Sequence, residues 1–360
     1  LMEEKHIGNV LLQLGARVER VNISAEHIEF DPEIFAEGHH DEASESAAVD
    51  GAMDDLLADD HADHLQEFDF DQTFTPISIS AGAVWEFTNG YNIGVSLARA
   101  QRAPSSAELL ANGLHIGTGN YEIGAVYELH EHAGETELEL REHDLELETS
   151  NNIDFTFRKF SGDLGLIFNV FYNRVDNYYF EDDLGFGIAA DHAHDEEEVT
   201  MDADEHADEE LAPVFLFTPQ DVELYGIEAQ VNYALNSNWK IAAQGDWIRG
   251  RLQDGGNLAR IPPKRLSSTI TYNANNWDTS VAVKHVFNQS KITSLETQTP
   301  SYTMLDVNSN IYLSQGKWDW VAYLKIENVT DELAYVHQSF LKDITPLPGR
   351  NFVVGIRGEF

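Results

Sequence analysis

The sequence predicts an all-β protein, built as an antiparallel transmembrane β-barrel. Two patterns indicate this fold: apolar and polar residues alternate with a period of two, and short connections alternate strictly with long ones. Every second residue is apolar from 164 to 172, and again from 225 to 233. A soluble antiparallel sandwich also alternates in this way, but its hairpins rarely keep all their long loops at one end.

About twelve strands can be placed along the chain. Most are about ten residues or longer, which suits a tilted strand that crosses a membrane. Aromatic residues lie near the short turns, where an interfacial girdle would put them: Trp85, Tyr91, Trp239, Trp277, Trp318 and Trp320. The predicted strands are 6–23, 71–88, 91–103, 142–158, 164–180, 221–235, 239–252, 265–275, 277–290, 301–314, 317–328 and 349–360, and the long connections are roughly 24–70, 104–141, 181–220, 253–264, 291–300 and 329–348.

The composition limits the possible function classes. The chain of 360 residues carries a formal net charge of −41. Nucleic acid is therefore not an expected partner, because phosphate binding needs clustered Lys and Arg. A field of this sign concentrates cations and repels anions. The chain has no cysteine, which excludes disulfides and thiolate metal sites. No run of about 18 apolar residues occurs, so no transmembrane helix is expected.

Three stretches, roughly 26–71, 128–143 and 181–210, are rich in Asp, Glu and His. Imidazole nitrogen beside carboxylate oxygen is a ligand set for borderline divalent cations, zinc above all. We expect modest affinity at several sites, because mobile ligands must be ordered on binding. The alternative is a solvated acidic surface that shields the cell. The candidate metal ligands are His39, His40, His61, His64, His130, His132, His192, His194 and His206.

Four stretches resemble the TonB-dependent outer-membrane receptors. The first runs from Arg102 to Gly124 and contains Arg-Ala-Pro-Ser, Glu-Leu, Gly-Leu-His and Tyr-Glu-Ile-Gly. The others are Ile-Pro-Pro-Lys-Arg-Leu at 261–266, Glu-Asn-Val-Thr-Asp at 327–331, and a block from His337 to Asn351 with Ser-Phe-Leu-Lys-Asp and Pro-Leu-Pro-Gly-Arg-Asn. The chain closes on Phe360, which resembles the family's assembly signal. The last block and the His-rich loops are most similar to the zinc-type receptors.

The resemblance implies a 22-stranded barrel with an N-terminal plug and an energy-coupling box. The strands of this chain would be the last twelve, so residues 1–360 are expected to form a partial barrel domain without the plug, missing an N-terminal portion. This arrangement places Phe360 on the periplasmic side and the long loops, about 24–70, 104–141 and 181–220, outside the cell. The implied partners are outer-membrane lipid, a TonB-type coupling protein and divalent metal ions.

His115 is the first choice for a defined zinc ligand, since the resemblance places its loop at the barrel mouth. Glu122 lies seven residues on and could supply an oxygen. The alternative interpretation is that His115 is a loop histidine whose side chain hydrogen-bonds to the backbone and binds no metal. His337 is included as a candidate ligand, although a packing role suits it better.

Several polar residues on the predicted strands are expected to face the barrel lumen. No nucleophile with a base, phosphate loop or paired-carboxylate motif stands out, so no enzymatic activity is predicted. The lumen candidates are Asn169, Asn173, Glu228, Gln230, Gln244, Asp246 and Lys284.

The leading hypothesis is receptor-mediated import of zinc, free or weakly complexed, across the outer membrane. Haem uptake is the closest rival, because His115 follows Gln-Arg-Ala-Pro at 101–104 as the histidine of family haem receptors follows a similar box. The second box of those receptors, Asn-Pro-Asn-Leu, does not occur after His115. A ferric-siderophore receptor is third, since an acidic mouth repels an anionic chelate. A surface protein whose acidic loops bind a host or phage partner is the alternative from a different class.

Overall fold

The computed structural model describes residues 1–360 except 33, 36–64, 133–134, 143–144, 190–210, 295, 316–317 and 360. Strands dominate these residues, and a single short helix lies among them. In chain order the elements are β1 (Met2–Ile7), β2 (Val10–Val18), β3 (Val21–Phe30), β4 (Gln66–Phe74), β5 (Ile77–Thr88), β6 (Tyr91–Arg102), α1 (Ser106–Leu110), β7 (Asn112–His115), β8 (Asn120–Ile123), β9 (Tyr127–His132), β10 (Glu135–Leu140), β11 (Glu148–Lys159), β12 (Leu164–Ala189), β13 (Leu211–Ala234), β14 (Trp239–Leu252), β15 (Arg265–Asn273), β16 (Trp277–Val286), β17 (Tyr302–Gln315), β18 (Trp318–Glu327) and β19 (Asn351–Glu359).

The main sheet is antiparallel along its path, and each strand pairs with the next in chain order. The order is β1-β2-β5-β6-β11-β12-β13-β14-β15-β16-β17-β18-β19, with β1 and β19 at the two edges. The sheet is therefore an open, partial barrel, and the predicted fold class is confirmed. Among the described residues, no helix is both long and apolar enough to cross a membrane.

The predicted first strand, 6–23, was wrong. A turn at Gly8 and Asn9 separates β1 from β2, and Gly8 has a φ of 62°. Gly-Asn between two strands is typical of a tight hairpin, because a left-handed φ costs glycine little. The predicted strand 71–88 is also two strands, because β4 ends just before Pro76, which has no N–H to donate. Only the first division adds a strand to the path, because β4 pairs with β3 in a separate two-stranded sheet, and the path therefore has thirteen strands rather than twelve.

The register sorts the side chains of the sheet onto two faces. One face, called the apolar face, carries rows such as Leu97, Ile153 and Tyr172, which lie opposite one another on β6, β11 and β12. The other face, the polar face, carries rows such as Asn169, Glu228 and Asp246 on β12, β13 and β14. All seven predicted lumen candidates fall on the polar face, since the side-chain period of a strand is two.

The connections differ between the two ends of the sheet. Antiparallel pairing in chain order puts every short turn at one end and every long connection at the other. Aromatic rings cluster at the short-turn end, where Tyr272 lies 4.8 Å from Trp239 and 5.2 Å from Trp277 between ring centroids. This cluster matches the predicted girdle of aromatic residues at the strand ends.

The long connections carry structure of their own, which we call the cap. It consists of the β3–β4 hairpin, α1, β7–β10 and the parts of β12 and β13 that extend past the bulge after Val175. These parts share one apolar core, whose fully buried members include Leu109, Ile123, Tyr127 and Val214. The predicted loops therefore contain strands. β3 and β4 occupy the two ends of 24–70, β7–β10 lie inside 104–141, and β12 and β13 extend into 181–220 from either side.

Candidate functional site

The stretch with the Arg-Ala-Pro-Ser motif forms the base of the cap. Ser105 caps α1: its hydroxyl oxygen accepts a hydrogen bond from the Glu108 N–H, and the Glu108 carboxylate accepts one from the Ser105 N–H, which completes a capping box. Arg102 joins this helix to the barrel, because its guanidinium donates to Glu108 at 2.7 Å and to Glu148 at 2.5 Å. The start of the cap is therefore fixed to the ends of β6 and β11.

A short hairpin then places the predicted ligands. His115 ends β7, and its carbonyl accepts hydrogen bonds from the N–H groups of Thr118 at 3.1 Å and Gly119 at 2.9 Å. Gly119 has a φ of 72°, which closes the turn. β8 follows and pairs in parallel with β13, so that Glu122 lies opposite Phe215.

This hairpin brings His115 and Glu122 together. His115 Nδ1 lies 3.9 Å from Glu122 Oε1 and 3.0 Å from Thr118 Oγ1. The His115 side chain is about half exposed, whereas only 13% of the Glu122 side chain is exposed. One ring nitrogen thus faces the turn, and the carboxylate beside it is held in a mostly buried position.

Glu181 and Arg260, which the sequence analysis did not select as ligands, are close enough to this pair for their charges to interact. Burial raises the pKa of Glu181, and the negative charge of Glu122 raises it further, while Arg260 and His115 oppose the shift. Glu181 lies opposite Phe217 in the part of β12 that belongs to the cap. The sequence analysis placed Glu181 at the start of the acidic stretch 181–210 but did not single it out, because its neighbours come from distant parts of the chain.

An apolar pocket of about 420 Å³ opens beside His115. It is lined by His115, Gly117, Thr118, Ser339, Phe340 and Leu341. The Arg260 guanidinium stacks over the Phe340 ring, with Cζ 3.1 Å from the ring centroid. The last long connection, 328–350, therefore meets the His115 turn and the connection that contains Arg260.

His337 is buried beneath this meeting point. Its Nδ1 lies 2.8 Å from Thr299 Oγ1, and its Nε2 lies 3.2 Å from Glu296 Oε1 without making an aligned hydrogen bond. Burial lowers the pKa of His337, and Lys342 adds to that effect, while Glu296 and Asp343 oppose it. His337 thus links the connections 287–301 and 328–350.

The other predicted ligands are not gathered at this site. In β9, His130 Nε2 lies 3.3 Å from Glu128 Oε1 and 3.8 Å from Glu139 Oε2. His132 pairs with Glu135 across the β9–β10 ladder. Within the described ranges, no group of three or more His, Asp or Glu is placed to hold a metal ion. The remaining candidates lie outside the described residues: His39, His40, His61, His64, His192, His194 and His206.

Comparisons with known proteins agree with this architecture. The family described as "TonB dependent receptor-like, beta-barrel" matches residues 1–329. Among solved structures, the copper transporter OprC is similar with a TM-score of 0.66 and 15% identity, over 98% of this chain and 45% of that one. The FrpB iron transporter from Neisseria meningitidis (F3-3 variant) has a TM-score of 0.59 and 12% identity, over 99% and 44%.

A third similar structure is the ferric citrate transporter FecA in its unliganded form. Its TM-score is 0.59 and its identity 12%, over 98% of this chain and 43% of that one. The chain thus spans less than half the length of each of these three proteins. At such low identities these likenesses show the fold alone.

Proposed function

The chain belongs to the TonB-dependent receptor β-barrel family, and we propose that it forms part of an outer-membrane receptor for the energy-coupled uptake of a divalent metal ion, zinc by preference. In this proposal the ion is cargo and not a resident cofactor. The long-connection end with the cap faces the outside of the cell, and the short turns and C-terminus face the periplasm. A TonB-type protein supplies the energy through other parts of the receptor. The proposed activity is transport, with no chemical change of the ligand.

The observation that carries this proposal is the pairing of His115 with Glu122. A carboxylate oxygen beside an imidazole nitrogen suits zinc. Burial and the negative charge of Glu122 disfavour the charged form of Glu181, which raises the pKa of that carboxyl. A bound divalent cation would offset the repulsion between these carboxylates, so the surroundings favour a cation at this point.

The charge of the whole chain supports a cation over an anionic chelate. A net charge of −41 raises the local concentration of cations and repels negatively charged complexes. The acidic His-rich stretches 36–64 and 190–210 extend this field. We suggest that they collect the ion and pass it to the His115 site.

The pair supplies two ligands, and zinc usually takes four. The charge of Glu181 interacts with both His115 and Glu122, but no third His, Asp or Glu among the described residues is placed to bind the same ion. Water or a histidine of the stretches outside the described residues would complete the set. Because the chain spans less than half of similar transporters, other parts of the receptor are a further source of ligands.

Haem is a second candidate ligand, and the apolar pocket beside His115 is the observation that favours it. Phe340 and Leu341 offer apolar contact surface, and His115 would supply an axial nitrogen. The acidic cap opposes this reading, because haem carries two carboxylates. A surface protein that binds a host or phage partner through its acidic loops remains a prediction of the sequence alone.

Titration of the purified full-length receptor with zinc and, separately, with haem tests the proposal. His115→Ala should weaken the tightest zinc site by at least about tenfold, since even indirect partners of metal ligands cost about 10- to 100-fold when removed. His285→Ala is the matched control, because His285 is a partly exposed histidine on the apolar face of β16, where it bonds to Thr303. Equal zinc affinity in both variants would refute the proposed site, and loss of haem binding with intact zinc binding would favour the second candidate.

A further inference from the structure

The apolar face carries a groove that is separate from the cap. It has a volume of about 670 Å³ and runs across β2, β5, β6 and β11. Its walls are Leu14, Ile79, Leu97 and Ile153, each of which is about half exposed. Ala81 lies among them with a single methyl group, so the groove forms where a small side chain meets larger neighbours.

The register explains the shape of the groove. Leu14, Ala81, Leu97 and Ile153 lie opposite one another in one row across the four strands. The next row towards the cap begins with Ala16 and Ile79 and continues with Arg99 and Asn151. Successive rows on one face are about 7 Å apart. The apolar groove therefore ends, one row higher, at a guanidinium.

Arg99 differs from the arginines that follow it along this row. Arg174 donates to Asp176 at 2.9 Å, and Arg251 donates to Glu223 at 2.7 Å. Arg99 is exposed and donates instead to the neutral amide oxygen of Asn151 at 3.1 Å. In the described part of the chain, no carboxylate forms an ion pair with Arg99. Its positive charge is thus available in a chain that is otherwise strongly acidic.

The row that contains Arg99 marks the level where the apolar face ends. Arg99, Asn151, Arg174, Glu223 and Arg251 lie opposite one another in sequence on five neighbouring strands. Apolar side chains occupy this face on the side of the short turns. A change from apolar to charged residues along a membrane strand is expected where hydrocarbon gives way to lipid headgroups.

From these observations we infer that the groove binds one phosphorylated membrane lipid, with an acyl chain between Leu14, Leu97 and Ile153 and its phosphate on Arg99. The apolar walls match an acyl chain, and a guanidinium matches a phosphate, which it can bind with two parallel hydrogen bonds. Asn151 holds the guanidinium in place without neutralising it. The site does not depend on which ligand the receptor transports.

Native mass spectrometry of the full-length receptor in detergent tests this assignment. The probes are phosphatidylglycerol, diacylglycerol with the same acyl chains but no phosphate, and inorganic phosphate. The wild-type chain should retain phosphatidylglycerol at least about tenfold better than diacylglycerol, because only the phosphate can bind the Arg99 guanidinium, and millimolar inorganic phosphate should not displace it. Arg99→Ala should weaken retention of phosphatidylglycerol about tenfold or more, because hydrogen bonds to charged groups are among the strongest in proteins.

Two further variants separate the parts of the site. Ala81→Trp should fill the groove and reduce retention although Arg99 is present, and Ala81→Leu serves if the larger side chain prevents folding. Arg158→Ala is the matched control, since Arg158 is an exposed arginine on the polar face of β11, and it should leave retention unchanged. Unchanged retention in both the Arg99 and the Ala81 variants would overturn the proposal. Displacement by inorganic phosphate with no effect at Ala81 would also overturn it, because the site would then bind phosphate and not lipid.

Discussion

Replacing Ile123 with alanine should loosen the cap and, with it, the site at His115. Ile123 is fully buried in the core of the cap, and it lies next to Glu122 in β8, opposite Leu216 of β13. The substitution removes three carbon atoms, which at about 0.8 kcal/mol for each buried group amounts to about 2.4 kcal/mol. The cavity left behind raises the cost, so the expected loss lies within about 2–5 kcal/mol.

Hydrogen exchange measures this loss directly, because amides of the cap exchange when the cap opens. If the cap opens as one unit, exchange of its slow amides should accelerate by about 30-fold or more, given about 1.4 kcal/mol for each factor of ten. Exchange in β14–β18 should stay unchanged. Ile116→Ala is the matched control, since Ile116 lies in the same hairpin but is 93% exposed. Equal exchange in the two variants would refute the view that a shared apolar core holds the site together.

Three further predictions concern the long connections. Burial lowers the pKa of His337, so the unfolded chain binds a proton there more readily than the folded one. The contribution of neutral His337 to the free energy of unfolding is therefore fully present above about pH 6.5, and it is lost as the pH falls through the lower pKa that His337 has in the folded chain. His337→Gln should remove this part of the pH dependence of thermal unfolding. Gly124→Ala should destabilise the cap to thermal unfolding, because the added Cβ would lie 2.0 Å from the Leu109 carbonyl oxygen. Zinc uptake measured by calorimetry should fall between pH 7.5 and pH 5 if imidazoles are ligands, since an unperturbed imidazole has a pKa of about 6.5; equal uptake at both values would favour carboxylates alone.

The barrel could be predicted from the sequence because its determinants are local. Alternation with a period of two fixes which face each side chain takes, and antiparallel pairing in chain order follows from the short turns. The errors fell where a single residue interrupts a continuous apolar pattern, at Gly8 and Pro76. The extent of β12 and β13 was underestimated, because the segments after Glu181 are supported by the cap core and not by their own alternation.

The candidate site was only partly predictable, for a physical reason. His115 and Glu122 are seven residues apart in one hairpin, so a motif could mark both. Glu181 and Arg260 come from other connections, and only the folded chain brings their charges to the same place. The cap itself was missed because β7–β10 are short and the core of the cap forms between segments that are distant in sequence. The structure explains the Arg-Ala-Pro-Ser motif, because Ser105 caps α1 and Arg102 connects that helix to the barrel through Glu108 and Glu148.

Diffraction at the zinc absorption edge, on crystals of the full-length receptor soaked in zinc, tests the central claim most directly. The strongest anomalous peak should lie about 2.0–2.1 Å from a ring nitrogen of His115 and about 2.0–2.2 Å from a carboxylate oxygen of Glu122. The same peak should be lost in crystals of His115→Ala. A strongest peak at a distance from both residues in the native protein would contradict the assignment of the uptake site to this hairpin.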